Sequence, residues 1–372
     1  MVCVLLLLSL WSCDAPSVAY HNPMRVDIDA RHEVSIFDLF ERIELIPLET
    51  TDESIFNNID RLIHHNGVLY IFDFRGHKIL AFDSTGSFLF KIDDRGQGPQ
   101  EYPYLADFEI NRQGNVILVL DPITPDLIEY DLKGNYLRRT RLPAIEGAYR
   151  SLRYLGDGII AFWTFDFNNR LKFFDSRNGN IFQEQAPEGD RILLFSPPVF
   201  HYGNFLMKDV FFNKNIYEVF PDGTYSVAYT WDFGRLNNRI SMLRNFPERL
   251  NTQETAMQWL HRVENSEVVN YVFRRIGGNQ TYRYALLTRK SQNVHLFHNI
   301  DEGHTLVFTE FSEGATFLPL YWSDEFVIGH GPFAGYGENT IPDAILDARN
   351  LEIKRNICEF DNPVLIKYWF RR

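Results

Sequence analysis

Short apolar runs alternate along this chain with turns built on glycine. The segment Gly67-Val68-Leu69-Tyr70-Ile71-Phe72-Asp73 is followed by Ile79-Leu80-Ala81-Phe82-Asp83-Ser84-Thr85-Gly86-Ser87-Phe88. Further on, Asn115-Val116-Ile117-Leu118-Val119-Leu120-Asp121 is followed by Ile128-Glu129-Tyr130-Asp131-Leu132-Lys133-Gly134-Asn135-Tyr136. Asp73 to Asp121, Asp83 to Asp131 and Gly86 to Gly134 are each 48 residues apart. The pattern returns in Phe173-Phe174-Asp175 with Gly179, and in Ile216-Tyr217-Glu218-Val219 with Asp222-Gly223; Gly134, Gly179 and Gly223 follow one another at 45 and 44 residues. A polar residue–glycine turn between two β-type runs is a strong hairpin signal. A period of about 40–50 residues with four short strands per repeat reads as a propeller blade.

The stretch Gly96-Gln97-Gly98-Pro99-Gln100-Glu101-Tyr102, then Phe108-Glu109-Ile110-Asn111, Val119-Leu120-Asp121 and Tyr130-Asp131-Leu132-Lys133-Gly134, resembles an NHL-type repeat. More closely, it is similar to the exported six-bladed β-propellers of gut bacteria, whose hallmark is this Gly-Gln-Gly-Pro-x-Glu-Tyr loop. Arg42-Ile43-Glu44-Leu45-Ile46-Pro47-Leu48-Glu49 and Asn362-Pro363-Val364-Leu365-Ile366-Lys367-Tyr368 match that family's two ends. The likeness is good over residues 42–145 and 200–234 and at the C-terminus, and weak from 235 to 355. It implies an all-β fold of six four-stranded antiparallel blades over residues 41–372. It implies no activity, because the members are mostly of unknown function. In a closed propeller the chain ends meet in one blade. Residues 43–48 are therefore expected as the outer strand of the last blade, beside 364–370, which removes an open sheet edge.

At 372 residues the chain exceeds the roughly 250–300 at which a single core stops growing, so it needs two domains or a repeat. A content of 15% aromatic residues, with 32 Phe and 18 Tyr, leans toward sheet. The formal net charge of −12, with no basic stripe, argues against a nucleic-acid partner. Residues 235–275 break the blade rhythm. Asn251-Thr252-Gln253-Glu254 reads as a capped helix start, and Met257, Leu260, His261 and Glu264 follow at helical spacing, which predicts a helical insertion around 240–265. A second short helix is expected after Thr340, with Pro342 in its first turn.

Residues 2–11 are almost wholly apolar and lead into Ser12-Cys13-Asp14. A membrane-spanning helix needs about 20 such residues, whereas this length suits a signal peptide. Leu10-Trp11-Ser12-Cys13 resembles a bacterial lipobox, with Cys13 as the lipid-bearing residue; Trp11 is bulkier than usual, and no Lys or Arg precedes the run. The expected plan is a signal peptide over 1–13, a tether over 14–40 and a propeller held to the bacterial envelope, at the outer membrane, by lipid alone. A plain secretory signal or a buried strand is the alternative. Cys358 is the one cysteine beyond this segment, so no disulfide framework is available.

No Walker-type loop, Gly-x-Ser-x-Gly elbow or His-Glu-x-x-His motif occurs. The glycine-rich stretch 329–337 lacks the spacing of a dinucleotide loop. His64-His65 precedes Asn66-Gly67 and reads as a solvated turn, and adjacent strand histidines point to opposite faces, a poor metal pair. Asn279-Gln280-Thr281 matches a glycosylation sequon. One constellation passes a geometric test. In a propeller, the loop leading into a blade's innermost strand shares a face with the loop between its second and third strands. Asp73, Arg75, His77, Arg95, Gln97, Glu101, Tyr102 and Asp126 thus converge near the channel mouth, a mixture suited to a sugar or peptide. The same residues could instead serve the loop, with glycines supplying positive φ and Glu101 and Arg95 satisfying backbone groups. Two functions follow: an envelope binding or scaffold module for a glycan, peptide or partner protein, or a metal-dependent, lactonase-like hydrolase or lyase. The second needs carboxylates and amides converging on a divalent cation in the channel. Glu109 and Asn111 are candidates, without clear partners on other blades. No cofactor is otherwise implied, a divalent cation stays open, and oligomeric state is not encoded.

Overall fold

The repeated turn accounts for the spacing. Asp83 Oδ1 accepts the backbone N–H of Thr85 and of Ser87, at 2.8 and 3.0 Å, with Gly86 at φ +92°. Asp131 holds Lys133 and Asn135 in the same way around Gly134 at φ +82°. Asp222 takes the N–H of Thr224 beside Gly223 at φ +86°. A carboxylate capping its own turn, followed by a glycine in the left-handed region, fixes a hairpin from local sequence alone.

The computed structural model describes residues 23–166, 169–185, 205–207, 214–239, 258, 266–331 and 341–371, in which the strands form six four-stranded sheets. Blade 1 comprises Arg61–His65, Val68–Asp73, Lys78–Asp83 and Phe88–Ile92. Blade 2 comprises Asp107–Asn111, Val116–Asp121, Asp126–Asp131 and Tyr136–Arg141, and blade 3 Tyr149–Gly156, Ile159–Thr164, Leu171–Asp175 and Asn180–Gln185. Blade 5 comprises Val272–Gly278, Tyr282–Arg289, Gln292–Asn299 and His304–Phe308. Each runs antiparallel from the axis outwards. Middle strands are buried on both faces and outer strands are largely solvated, as in Asn180–Gln185. Apolar clusters occupy the junctions between blades: Ile63 and Phe72 meet Phe108 and Val119, and Phe326 and Ile328 meet Leu62 and Ile71.

Blade 6 comprises Pro319–Trp322, Phe326–His330 and Leu365–Phe370, and Phe40–Ile46 completes it as the outer strand, with Leu45 opposite Ile366. Closure of the last blade by the N-terminal strand is thus as expected. The expected helix after Thr340 resolves into a 3-10 turn, Asp343–Ile345, entered from Pro342, and a helix, Ala348–Asn356, capped by Asp347. Asn350 of that helix accepts from Leu45 N (2.8 Å) and donates to Ile43 O (3.0 Å), which covers the edge of the closing strand. The helical insertion expected around 240–265 falls outside the described residues, apart from position 258.

Blade 4 differs. Phe205–Met207, Asn215–Val219 and Tyr225–Asp232 are joined by Met24–Arg25, which pairs in parallel, Met24 opposite Trp231. By its Asp222-Gly223 turn the second hairpin corresponds to the third and fourth strands of blades 1–3, so Met24–Arg25 lies beyond the usual outer edge. From there the chain runs across the rims of blades 5 and 6. Val26 and Ile28 are buried in the junction of blades 4 and 5. Asp29 takes Arg289 in a two-point pair (2.9 and 2.8 Å), and His32 N donates to Val307 O (2.8 Å). Glu313 accepts from Ser35 Oγ and Ile36 N at the start of a one-turn helix, Ile36–Leu39, that leads into the closing strand. Residues 24–40, expected within a tether, are therefore a strap bound to three blades. Buried apolar anchors and a two-point, charge-assisted ion pair outweigh the chain entropy that their polar sequence suggested.

Candidate functional site

Loop 93–104, which leads into blade 2's innermost strand, packs against turn 73–78 of the neighbouring blade 1. Tyr102 is fully buried and its hydroxyl donates to His77 O (2.9 Å) and Ile92 O (3.3 Å); burial pushes its phenol well above the usual range. Arg95 Nη2 donates to Gly76 O at 3.1 Å. Glu101 Oε2 accepts from Gly98 N at 2.8 Å and fills the space where a side chain on Gly96 would sit. Neither Gly96 nor Gly98 has positive φ, so these glycines make room for the Glu101 carboxylate instead of supplying a left-handed turn. Asp73 is buried and caps its own turn through Gly76 N while holding Asn57. Asp126 is buried behind Thr124, Arg139 and Arg141. Five of the eight singled-out side chains thus hold the loop face together.

Of the other three, two are exposed and His77 is half-buried. Arg75 and Gln97 are exposed and make no hydrogen bond or ion pair among the described residues. His77, at φ +53°, lies against Tyr104 with ring centres 4.4 Å apart, and Phe74 is 5.9 Å from both rings. Arg150, from the start of blade 3's innermost strand, lies over Phe74 at 5.2 Å and has no carboxylate partner among the described residues. The result is a partly exposed aromatic patch flanked by guanidiniums, a surface that stacks on sugar or peptide faces. Phe74, Tyr104 and Arg150 escaped the sequence reading because an aromatic beside a strand end looks like core.

A second polar cluster lies deeper, on the innermost strands of blades 1–3. Arg61 reaches Asp107 and Glu109, each at 2.8 Å, and Arg153 reaches Glu109 at 2.7 Å. Asp107 also accepts from Leu152 N at 3.0 Å. Burial pushes the Glu109 carboxyl up, but Arg153 and Arg61 hold it below its ordinary value; Asp107 is left above its own because burial dominates there. Asn111 caps its own turn by accepting from Gly114 N. Glu109, the acid on which a lactonase-like centre would rest, is engaged by two guanidiniums. Among the described residues no group of three or more His, Cys, Asp or Glu is disposed around a common metal position.

One further expectation is corrected. His64 and His65 end a strand instead of sitting in a solvated turn, and His64 packs on Tyr321 and Phe326, because both flanking blades press on that strand. Asn279, the sequon asparagine, is buried and ties its turn to Ser323 O. Of the glycine-rich stretch, Gly329 and His330 belong to a strand and 332–340 lie outside the described residues.

Six blades, a terminal strand closing the last of them and a polar loop face define a β-propeller of the repeat-built class. The chain belongs to the family described as "Domain of unknown function (DUF4934)", whose profile matches residues 22–368. It is similar in fold to the crystal structure of a protein from Bacteroides fragilis NCTC 9343 whose export is inferred, at 16% identity over 92% of this chain and 98% of that one, with a TM-score of 0.72. A member of the DUF4221 family from Bacteroides vulgatus ATCC 8482 is similar at 14% identity over 92% and 99%, with a TM-score of 0.50. No curated protein matches the chain.

Proposed function

We propose that this protein is an exported, lipid-anchored propeller of the bacterial cell envelope whose loop face over blades 1–3 binds a glycan, peptide or partner protein. The carrying observation is the patch of Phe74, His77 and Tyr104, flanked by Arg75, Gln97 and Arg150 with no carboxylate partners. Polar groups that hold the loop already have partners, whereas these have capacity to spare. The inferred export of the Bacteroides fragilis protein of similar fold supports the address, and Cys13 is the lipid-bearing residue in this reading.

A glycan and peptide array probed with wild type, Arg75→Ala and Tyr104→Ala tests the site. Loss of a charge-assisted hydrogen bond is worth roughly 1.5–3 kcal/mol, or about ten- to a hundredfold in affinity, with little change in melting temperature. Arg95→Ala should weaken binding less, because its guanidinium also serves Gly76 O. Binding that survives both Arg75→Ala and Tyr104→Ala would remove the loop face from the proposal. For the address, Cys13→Ala should move the protein from the detergent phase to the aqueous phase, and unchanged partitioning would refute the anchor.

A further inference from the structure

The five innermost strands of blades 1, 2, 3, 5 and 6 are described from end to end. They carry five arginines, Arg61, Arg150, Arg153, Arg274 and Arg275, against two carboxylates, Asp107 and Glu109. The chain as a whole has a formal net charge of −12. Positive charge is thus gathered along the axis of an acidic protein, inside walls that focus its field on mobile counter-ions.

The arginines are not equivalent. Arg61 and Arg153 are neutralised by the two carboxylates. Arg274 is exposed and donates to Thr288 Oγ1. Arg150 rests on Phe74 at the loop face. Arg275 is mostly shielded, in the middle of blade 5's innermost strand, and among the described residues its one hydrogen bond runs from Nη1 to Pro319 O at 3.3 Å and it has no ion pair. Tyr284 is near, with its hydroxyl engaged by His295 at 2.9 Å. His330 is near as well, and burial and the Arg275 charge both act against its imidazolium form. Trp322 closes the site by laying its indole nitrogen against Gly277, where no side chain would fit. The neighbours are neutral donors, an indole and a carbonyl.

A guanidinium stays charged at any pH the protein meets, so it cannot escape burial by losing its proton. A shielded cation normally stands beside an acid, because the unpaired state is costly. Arg275 leaves most of its five-donor fork unused, and that fork matches the paired oxygens of a carboxylate or phosphate.

We propose that Arg275 is the anchoring residue of an oxyanion site in the central channel, taking a carboxylate or phosphate group of a bound ligand. The site is separate from the aromatic patch on the loop face and does not depend on it.

The test is thermal melting and titration calorimetry of the full exported chain with inorganic phosphate, trigalacturonate and neutral maltotriose, using wild type, Arg275→Leu, Arg61→Leu and Tyr104→Ala. At least one of the two anions should raise the wild-type melting temperature, and maltotriose should not. Arg275→Leu should bind that anion at least tenfold more weakly, and Tyr104→Ala should bind it like wild type. Which anion acts separates a sugar or peptide carboxylate from a phosphate. Without ligand, Arg275→Leu should melt at or above wild type because it removes an unpaired shielded charge, whereas Arg61→Leu should melt lower because it takes from Asp107 its guanidinium partner and leaves Glu109 with Arg153 alone. Melting of ligand-free Arg275→Leu as low as that of Arg61→Leu would make Arg275 a structural residue and overturn the site. So would an absence of any anion effect on wild type, or an equal effect on Arg275→Leu.

Discussion

Burial acts on histidine and carboxylate in opposite senses here, which separates their contributions along the pH axis. His295 is buried with its ring stacked on Phe308, and burial lowers it from 6.5 to about 4; His64 falls to about 4 for the same reason, aided by Lys367 and Arg112. In the unfolded chain both titrate near 6.5. Between pH 6.5 and 4 the unfolded state therefore binds protons that the native state refuses. Their contribution to stability is fully present above pH 6.5 and is lost as pH falls toward 4. Carboxylates held low by arginine, Glu109 and Asp29, join only below the ordinary carboxylate range, near 4. The window from pH 6.5 to 5 thus belongs to histidine. The melting temperature should fall across it, and His295→Gln should flatten the slope even if the variant melts lower at pH 7. An unchanged slope in His295→Gln would show that another group supplies the protons.

The Gly96–Glu101 pair shows how much a short motif can encode. A methyl on Gly96 would meet Glu101 Oε2, the far end of a flexible side chain, so the carboxylate must swing away and release Gly98 N. Gly96→Ala should then cost about what Glu101→Ala costs, on the order of 1 kcal/mol. The double variant should cost much less than the sum, since both lose one interaction. Additive losses in urea melts would mean that Gly96 has a separate backbone role. Blades 1–3 were legible for the same local reason: Asp83, Asp131 and Asp175 each cap a turn within a few residues of a glycine. The closing strand was legible because it and its partner, Leu365–Phe370, are both apolar-rich runs. The strap was not, since its anchors are Met24 against Trp231 and Asp29 against Arg289, pairs more than two hundred residues apart. The candidate site was half legible. Sequence put loop 93–104 on one face with turn 73–78 of the neighbouring blade, but which polar groups are consumed depends on backbone partners such as Gly76 O and His77 O, which no motif records.

A ring of blades is as strong as its weakest junction, and this ring is fastened twice by one N-terminal segment. Phe40–Ile46 fills the outer place of blade 6, and residues 24–39 run back over blades 5 and 4. Apolar clusters lie at the junctions between blades, so neighbours support one another and local loss spreads only if a junction opens. Removing residues through 39 spares the closing strand. It uncovers the apolar surface, with Trp231 and Phe273, on which Val26 and Ile28 pack, strips Asp29 from Arg289, whose side chain is only 5% exposed, and frees the edge of Tyr225–Asp232. Arg289 then keeps its bond to Asn270 O but loses its carboxylate, which is destabilising for a shielded guanidinium. The damage should be confined to blades 4 and 5: hydrogen exchange should quicken in Tyr225–Asp232 and Gln292–Asn299 while Val68–Asp73 and Val116–Asp121 keep their protection. Removing residues through 49 also opens blade 6 and bares the edge of Leu365–Phe370, so that variant should aggregate. Uniform loss of protection in the shorter deletion would mean that the ring unfolds as one unit and the strap is no local fastening. A monomeric longer deletion with an unchanged melting temperature would mean that neither fastening bears on stability.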